Sequence, residues 1–151
     1  MTTNHDARDG THGPDSALGA AHAGLEALSR DECLQALGTR RVGRVGITDR
    51  AMPVILPVNY ALLDGDVVFA TETGTKLDSA VLRSIVAFEV DQVDEQARTG
   101  WSVCVTGVAE EVVQDDQVER ARGLDLQPMV PLVRQRYVRI RSDLISGRRI
   151  S

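Results

Sequence analysis

Apolar residues along this chain come in short β-branched runs, broken every eight to twelve positions by Gly, Asp or Pro, a spacing that predicts strands joined by tight turns. Residues 40–48 (RRVGRVGIT) form the first such run, and Gly43 and Gly46 inside it mark a bend or a close approach of backbone. Residues 52–63 (MPVILPVNYALL) form the second, and Pro53 and Pro57 place it at an edge or a bulge. Asp64-Gly65-Asp66 is a hairpin turn that sends residues 67–71 (VVFAT) back antiparallel. Further strands are expected over 85–90, 100–113 (with a bulge at Gly107) and 135–142. Helical spacing appears three times. Ser29-Arg30-Asp31-Glu32 is a capping box opening a helix over 30–37, with Leu28 and Cys33 at the staple positions and Gly38 expected as a left-handed stop. Residues 75–83 carry a second helix, and Asp115-Asp116 open a third over 115–122. Residues 123–133, with Pro128 and Pro131, read as irregular. Six strands and three short helices without a βαβ rhythm predict a mainly β fold, a small closed or partly closed barrel decorated with helices. No GxGxxG or GxxxxGK[ST] is present, which disfavours a parallel nucleotide-binding sheet.

Composition narrows the function. At 151 residues and 16.4 kDa, the chain holds one domain, expected over 25–151 and preceded by a disordered Gly/Ala/Asp/His-rich tail over 1–24. The tail lacks the basic start and apolar core of a signal peptide, and no apolar run reaches ~18 residues, so a cytoplasmic protein without a membrane span is expected. Cys33 and Cys104 lack CxxC spacing and read as small buried apolar residues. His5, His12 and His22 all fall in the tail at spacings that match no metal-ligand pattern, so no metal site and no histidine catalysis are expected in the domain. A hydrolase is disfavoured because neither a GxSxG elbow nor a Cys/His pair occurs. The net charge of −5 gives no global field to attract nucleic acid. Arg134, Arg136, Arg139, Arg141, Arg148 and Arg149 read as a solvated face that pairs with acids such as Glu110, Glu111, Asp115 and Asp116. Five aromatics limit the core a closed barrel can bury, so a homodimer interface is expected to supply more.

Candidate chemistry concentrates in residues 68–80 (VFATETGTKLDSA), where a strand runs through a Gly-containing loop into a helix beginning at Thr75 and Lys76. Sixteen arginines stand against this one lysine. A hydroxyl, an ammonium and free backbone N–H groups suit a phosphate monoester, although the same residues also suit a capped helix with a solvated lysine. Trp101 likewise fits either a core or interface anchor or a cofactor contact.

Four segments, RVGIT, PVNYALLDGDVVFATETGTKLDSA, VAFEVD and GWSVCVTG, resemble the FMN-binding split-barrel superfamily named for pyridoxamine 5'-phosphate oxidase, in particular its small members related to nitroimidazole-resistance proteins. The likeness spans roughly residues 25–150. It implies a six-stranded antiparallel split barrel that forms an intertwined homodimer with FMN at the interface. It places flavin contacts on Pro57, Val58, Asn59 and Tyr60, and on Val68, Phe69, Ala70 and Thr71 along the strand under the ring and ribityl chain. Thr75 and Lys76 match the pair that holds the phosphate, usually Arg-Lys, and Arg44 or Arg83 is the expected compensation for the missing arginine. Trp101 and Ser102 match positions that reach the flavin from the other subunit.

The resemblance implies an FMN-dependent oxidoreductase that passes hydride from a nicotinamide to a small electrophile such as a nitroaromatic or quinone, with no catalytic side chain identified. A deazaflavin coenzyme on the same fold, or a non-catalytic flavin-binding module, are the alternatives. The C-terminal YVRIRSDLISGRRI lacks the aromatic-rich segment and the Arg-x-His pair of the vitamin oxidases, which speaks against that activity. A haem-binding relative would need a histidine that the domain does not have.

Overall fold

A computed structural model describes residues 24–126, 128 and 131–151; the expected tail over 1–24 lies, but for Gly24, outside the described residues. The elements are β1 (Leu25–Ala27), α1 (Arg30–Gly38), β2 (Val42–Asp49), β3 (Met52–Leu63), β4 (Asp66–Glu72), α2 (Lys76–Val81), β5 (Ile85–Asp94), β6 (Thr99–Glu111), α3 (Asp115–Arg122), β7 (Gln135–Ile140) and β8 (Leu144–Ile150).

The six strands expected from the sequence are the six that close the barrel. Neighbours run β6-β5-β2-β3-β4-β7, and β7 returns to β6 to complete the ring, every pairing antiparallel. Two strands were not expected. β8 lies on β6 from Gly100 to Thr106, and β1 lies on β8, extending the sheet beyond the barrel. The β1 segment is three residues long and the internal Gly147 lowers the strand propensity of β8, so pairing of β8 on β6 and of β1 on β8 organises them.

Closure requires two long strands to serve both halves. β3 pairs with β2 from Met52 to Asn59 and with β4 from Tyr60 to Leu63. β6 pairs with β5 from Thr99 to Val108 and with β7 from Ala109 to Glu111. Pro53 and Pro57 therefore sit where β3 has a partner on one side only, as a residue without an N–H requires.

Strand alternation fills the interior. Val45, Ile47, Val58, Tyr60, Val67, Phe69, Val86, Phe88, Val90, Val103 and Val105 form its centre. A second, smaller cluster of Leu63, Val68, Val112, Ala121, Leu126 and Tyr137 lies under α3. Gly43 faces the centre, where an added Cβ would stand 2.3 Å from Cζ of Phe88. Gly46 faces outward with nothing nearer than 3.7 Å, so of the two glycines Gly43 is the one that permits a close approach.

The Ser29–Glu32 capping box forms in both directions, at 3.2 and 2.7 Å. Gly38 is the last residue of α1 rather than a left-handed stop: Thr39 ends the helix in right-handed geometry, and its hydroxyl donates to the Ala36 carbonyl. Cys33 is buried as expected, whereas Cys104 is only half-buried on the outer face. No helix among the described residues is long and apolar enough to cross a membrane.

Gly43→Ala is expected to destabilise the fold by ~1–3 kcal/mol through overpacking against Phe88, and Gly46→Ala to change stability by less than about 0.5 kcal/mol. Urea unfolding of the two variants side by side checks this; equal midpoints contradict the assigned facing of β2.

Candidate functional site

The loop between β4 and α2 is shaped by one buried carboxylate. Asp78 Oδ1 accepts the Thr71 hydroxyl at 2.9 Å, and Oδ2 accepts the Gly74 N–H at 3.0 Å and Arg136 Nη1 at 3.2 Å. Arg136 also reaches Glu111 at 3.3 Å, so β4, the loop, β7 and β6 meet at one ionic junction. Removing one partner from a buried pair strands the other charge, which makes such a junction hard to perturb. Thr75 is the N-cap of α2: its hydroxyl accepts the Asp78 N–H at 3.2 Å and donates to the Glu72 carbonyl at 2.9 Å. That hydroxyl is committed to the loop. Asp78 itself was legible, since Thr75-x-x-Asp78 has the spacing of a capping box, but the sequence reading passed over it.

Lys76 follows at the first position of α2, exposed and without an ion pair to any described residue. It lines a cavity of about 510 Å³ together with Thr48, Asp49, Arg50, Gly74, Ser79, Ala80 and Ser84. The two arginines expected to assist it lie elsewhere. Arg44 pairs on the outer sheet face with Glu89 at 3.2 Å and Asp91 at 3.6 Å, and Arg83 lines a different cavity with Asp78, Glu110, Glu111 and Arg136. Arg50, at the β2–β3 hairpin tip, is the cation beside Lys76. Its position depends on how that hairpin folds over α2, which no local spacing encodes.

A separate, smaller cavity of about 120 Å³ is lined by Pro57, Val58, Asn59, Ala70 and Leu77 and by Leu126, Pro128 and Leu132. The structure thus brings together four residues singled out in the sequence, from the switch point of β3 and the middle of β4. Of the others in those runs, Tyr60, Phe69 and Thr71 point inward, and Val68 is buried under α3. Tyr60 and Phe69 are core residues, Tyr60 edge-on to Phe88 with ring centroids 4.8 Å apart. The Tyr60 hydroxyl donates to the Leu37 carbonyl, and burial pushes it up to about 12. Val68 packs in the cluster under α3, and Thr71 is buried on Asp78. Side chains alternate along a strand, so a contiguous run offers a ligand only every second one, and the rest reach it through backbone alone.

Trp101 and Ser102 stand apart. With Leu25, Asp91, Arg98, Arg148 and Ile150 they line a cavity of about 410 Å³ at the β5–β6 hairpin. Asn59 pairs with Val42, and Ser102 with Asp91, two strands further round the sheet. Three strand spacings separate them, on the order of 14 Å. Within one chain, the Trp101 surface and the Pro57–Lys76 surface do not form one pocket.

The donor set fits a phosphorylated planar cofactor. An unpaired ammonium, a guanidinium and hydroxyls line the polar cavity, and an apolar wall with the Asn59 amide lies next to it. At about 120 Å³ the apolar part is below the ~300 Å³ at which cofactor pockets begin, so it is one wall of a site. Among the described residues no cluster of His, Cys, Asp and Glu could hold a metal ion.

Comparison with known proteins agrees with this architecture. The family model for pyridoxamine 5'-phosphate oxidase matches residues 29–149. The uncharacterized protein Rv0080 of Mycobacterium tuberculosis is 41% identical over 128 residues, covering 82% of this chain and 84% of that protein. Among solved structures, the FAD binding protein of Mycobacterium smegmatis superposes with a TM-score of 0.74 at 34% identity, covering 83% of this chain and 100% of that one. A conserved protein of unknown function from Corynebacterium diphtheriae gives 0.69 at 32%, covering 85% and 99%. With the six-stranded split barrel, the strand-loop-helix cradle at Lys76 and a family match over four-fifths of its length, the chain belongs to the pyridoxamine 5'-phosphate oxidase family.

Proposed function

We propose that this protein is a flavin-dependent oxidoreductase that works as a homodimer, binding the FMN moiety of its cofactor and reducing a small organic electrophile with hydride from a nicotinamide. The observation that carries this reading is that consecutive residues of α2 line two cavities, Lys76 a polar one and Leu77, with Pro57 and Ala70, an apolar one. The relative from Mycobacterium smegmatis, named for FAD binding, supports a flavin here. A deazaflavin coenzyme presents the same phosphate to Lys76 and is the second reading, which direct titration separates from the first.

When bound, a flavin supplies the hydride chemistry in its own ring. The protein's contribution is to hold and orient. Lys76 neutralises the phosphate, and the Asp78 junction fixes the loop that presents it. Pro57, Asn59 and Ala70, with the backbone at Val58, form the wall for the ring, with Asn59 as its polar contact. No side chain here serves as an acid: Tyr60 is held in the core on Leu37, and all three histidines lie outside the described residues. Protons come from solvent or substrate.

The second wall comes from a second copy. One outer face of the barrel carries a transverse row of Ile55, Gly46, Ala87, Thr106 and Leu144, flanked by Ile85 and Val108. Ile55 and Ile85 are more than 70% exposed, and neighbouring Leu144 and Val108 are also open, an apolar patch of the kind soluble chains cover. Packing two such faces together brings Trp101 and Ser102 of one copy to the open wall of the other, as the family resemblance implies.

Light scattering at micromolar concentration is expected to give twice the 16.4 kDa chain mass, and Ile85→Arg to give monomers with at least tenfold weaker flavin binding. A wild-type monomer that still binds flavin contradicts the shared site. Lys76→Ala is expected to weaken FMN by ~1.5–3 kcal/mol, the range for a charge-assisted hydrogen bond, in a fluorescence titration. Unchanged affinity removes Lys76 from the site.

A further inference from the structure

The segment that carries Lys76 opposes an anion by its own charge. Residues 72–78 (ETGTKLD) hold one cation, Lys76, against two acids, Glu72 and Asp78. Asp78 weighs more than Glu72, because it is buried and its Oδ2 lies 3.0 Å from the Gly74 N–H, at the turn that leads into Lys76. A carboxylate there repels a phosphate at Lys76, and burial leaves little solvent to screen it.

The cation that offsets Asp78 comes from another strand. Arg136 stands on β7 opposite Thr71 of β4, and its Nη1 reaches Asp78 Oδ2 at 3.2 Å, the same oxygen that accepts the Gly74 N–H. Thr71 and Gly74 give Asp78 hydrogen bonds; Arg136 gives it charge as well. The second partner of Arg136, Glu111, has a side chain 42% exposed against 5% for Asp78. Water screens the Glu111 contact, so the guanidinium acts chiefly on Asp78. Arg136 does not line the cavity that holds Lys76, and opens instead into the one lined by Arg83, Glu110 and Glu111.

We propose that Arg136 is a positioning residue for the cofactor phosphate that acts through Asp78: by cancelling the carboxylate behind the Gly74–Lys76 turn, it lets one lysine hold the phosphate. The proposal rests on the flavin reading above and adds the residue by which its phosphate subsite works without an arginine at Thr75. Arg136 itself never meets the phosphate. Its effect is therefore on charge, and it is separable from the hydrogen bonds that shape the loop. Asn at position 78 can offer its oxygen to the Gly74 N–H and its amide nitrogen to the Thr71 hydroxyl, which keeps those two bonds and removes the charge.

The test is fluorescence titration of the full chain with FMN and with riboflavin, which has the same ring and ribityl chain but no phosphate. Wild type is expected to bind FMN about tenfold or more tightly than riboflavin. Arg136→Gln, which leaves Asp78 uncompensated, is expected to weaken FMN by about tenfold and riboflavin by less than about twofold. Asp78→Asn on that background is expected to bring FMN back to within about threefold of wild type, and Asp78→Asn alone to bind FMN at least as tightly as wild type. Glu111→Gln is expected to leave both affinities within about twofold. Thermal unfolding verifies each variant. Should Arg136→Gln not fold, Asp78→Asn and the double variant, which leave no buried carboxylate unpaired, carry the test. Equal weakening of both flavins by Arg136→Gln, a double variant at least tenfold weaker than wild type for FMN, or weaker FMN binding by Asp78→Asn alone makes the junction purely structural and overturns the charge role, leaving the flavin site standing. Equal affinity of wild type for FMN and riboflavin removes the phosphate subsite and overturns the inference. Failure of wild type to bind either flavin overturns the flavin reading, and this inference with it.

Discussion

Three residue pairs close this barrel. Ala109, Glu110 and Glu111 of β6 meet Ile140, Arg139 and Val138 of β7, and that short ladder converts an open sheet into a ring. It exists only because β6 leaves β5 after Val108 and continues on to β7. An added Cβ at Gly107, next to this departure, would stand 2.6 Å from the Arg141 carbonyl oxygen. β3 makes the matching change between Asn59 and Tyr60. A small barrel that bends its strands in this way exchanges regular pairing for a seam, and at the seam side chains leave the interior for the surface. Asn59 and Ala70 lie beside it, and there the apolar wall of the site forms.

The charge arrangement follows from the same closure. β7 reaches across to β4 and β6, bringing Arg136 against Asp78 and Glu111. A buried carboxylate accepting from a hydroxyl, a backbone N–H and a guanidinium is satisfied on every side, so the loop over 72–75 is fixed without a ligand present. Arg139 is the less complete neighbour: its Nε is buried without a hydrogen bond, 3.6 Å from Asp66, which in turn holds the Ser142 N–H. Arg139 thus contributes mainly a charge beside the Asp64–Asp66 turn, whereas Arg136 contributes both charge and geometry at the site loop. On the outer face, burial and the nearby Asp91 raise the Glu89 carboxyl while Arg44 opposes them. A further loss of water at this face, as when a second copy covers it, leaves Arg44 as the group that keeps Glu89 ionised.

With Ser102, Trp101 lies apart from the other candidate residues within one chain. It sits on the β5–β6 hairpin, beside Arg149 of a strand that the sequence did not announce, and lines its own cavity. Within one chain it is separated from the Pro57–Lys76 surface. The hairpin also extends past the barrel wall, where Gln92 and Val93 are exposed, so this part of the molecule contributes little to the core.

The sequence by itself determined the six barrel strands, their antiparallel order in hairpins, the capping box of α1 and the importance of the 68–80 segment, because each is written in spacings of a few residues: period-two alternation, Asp-Gly turns, Ser-x-x-Glu. What only tertiary structure decided was which side of each run faces what. Pro57, Asn59 and Ala70 line the cavity while Tyr60, Phe69 and Thr71 are turned inward, since alternation fixes the period but closure fixes the phase. Which arginine shares the cavity with Lys76 was likewise undetermined, since Arg83 lies nearer in sequence than Arg50 and yet lines a different cavity. Side chains far apart in sequence come to line one cavity only through the folded chain, and the placement of the β2–β3 hairpin against α2 selected the arginine that local sequence did not distinguish.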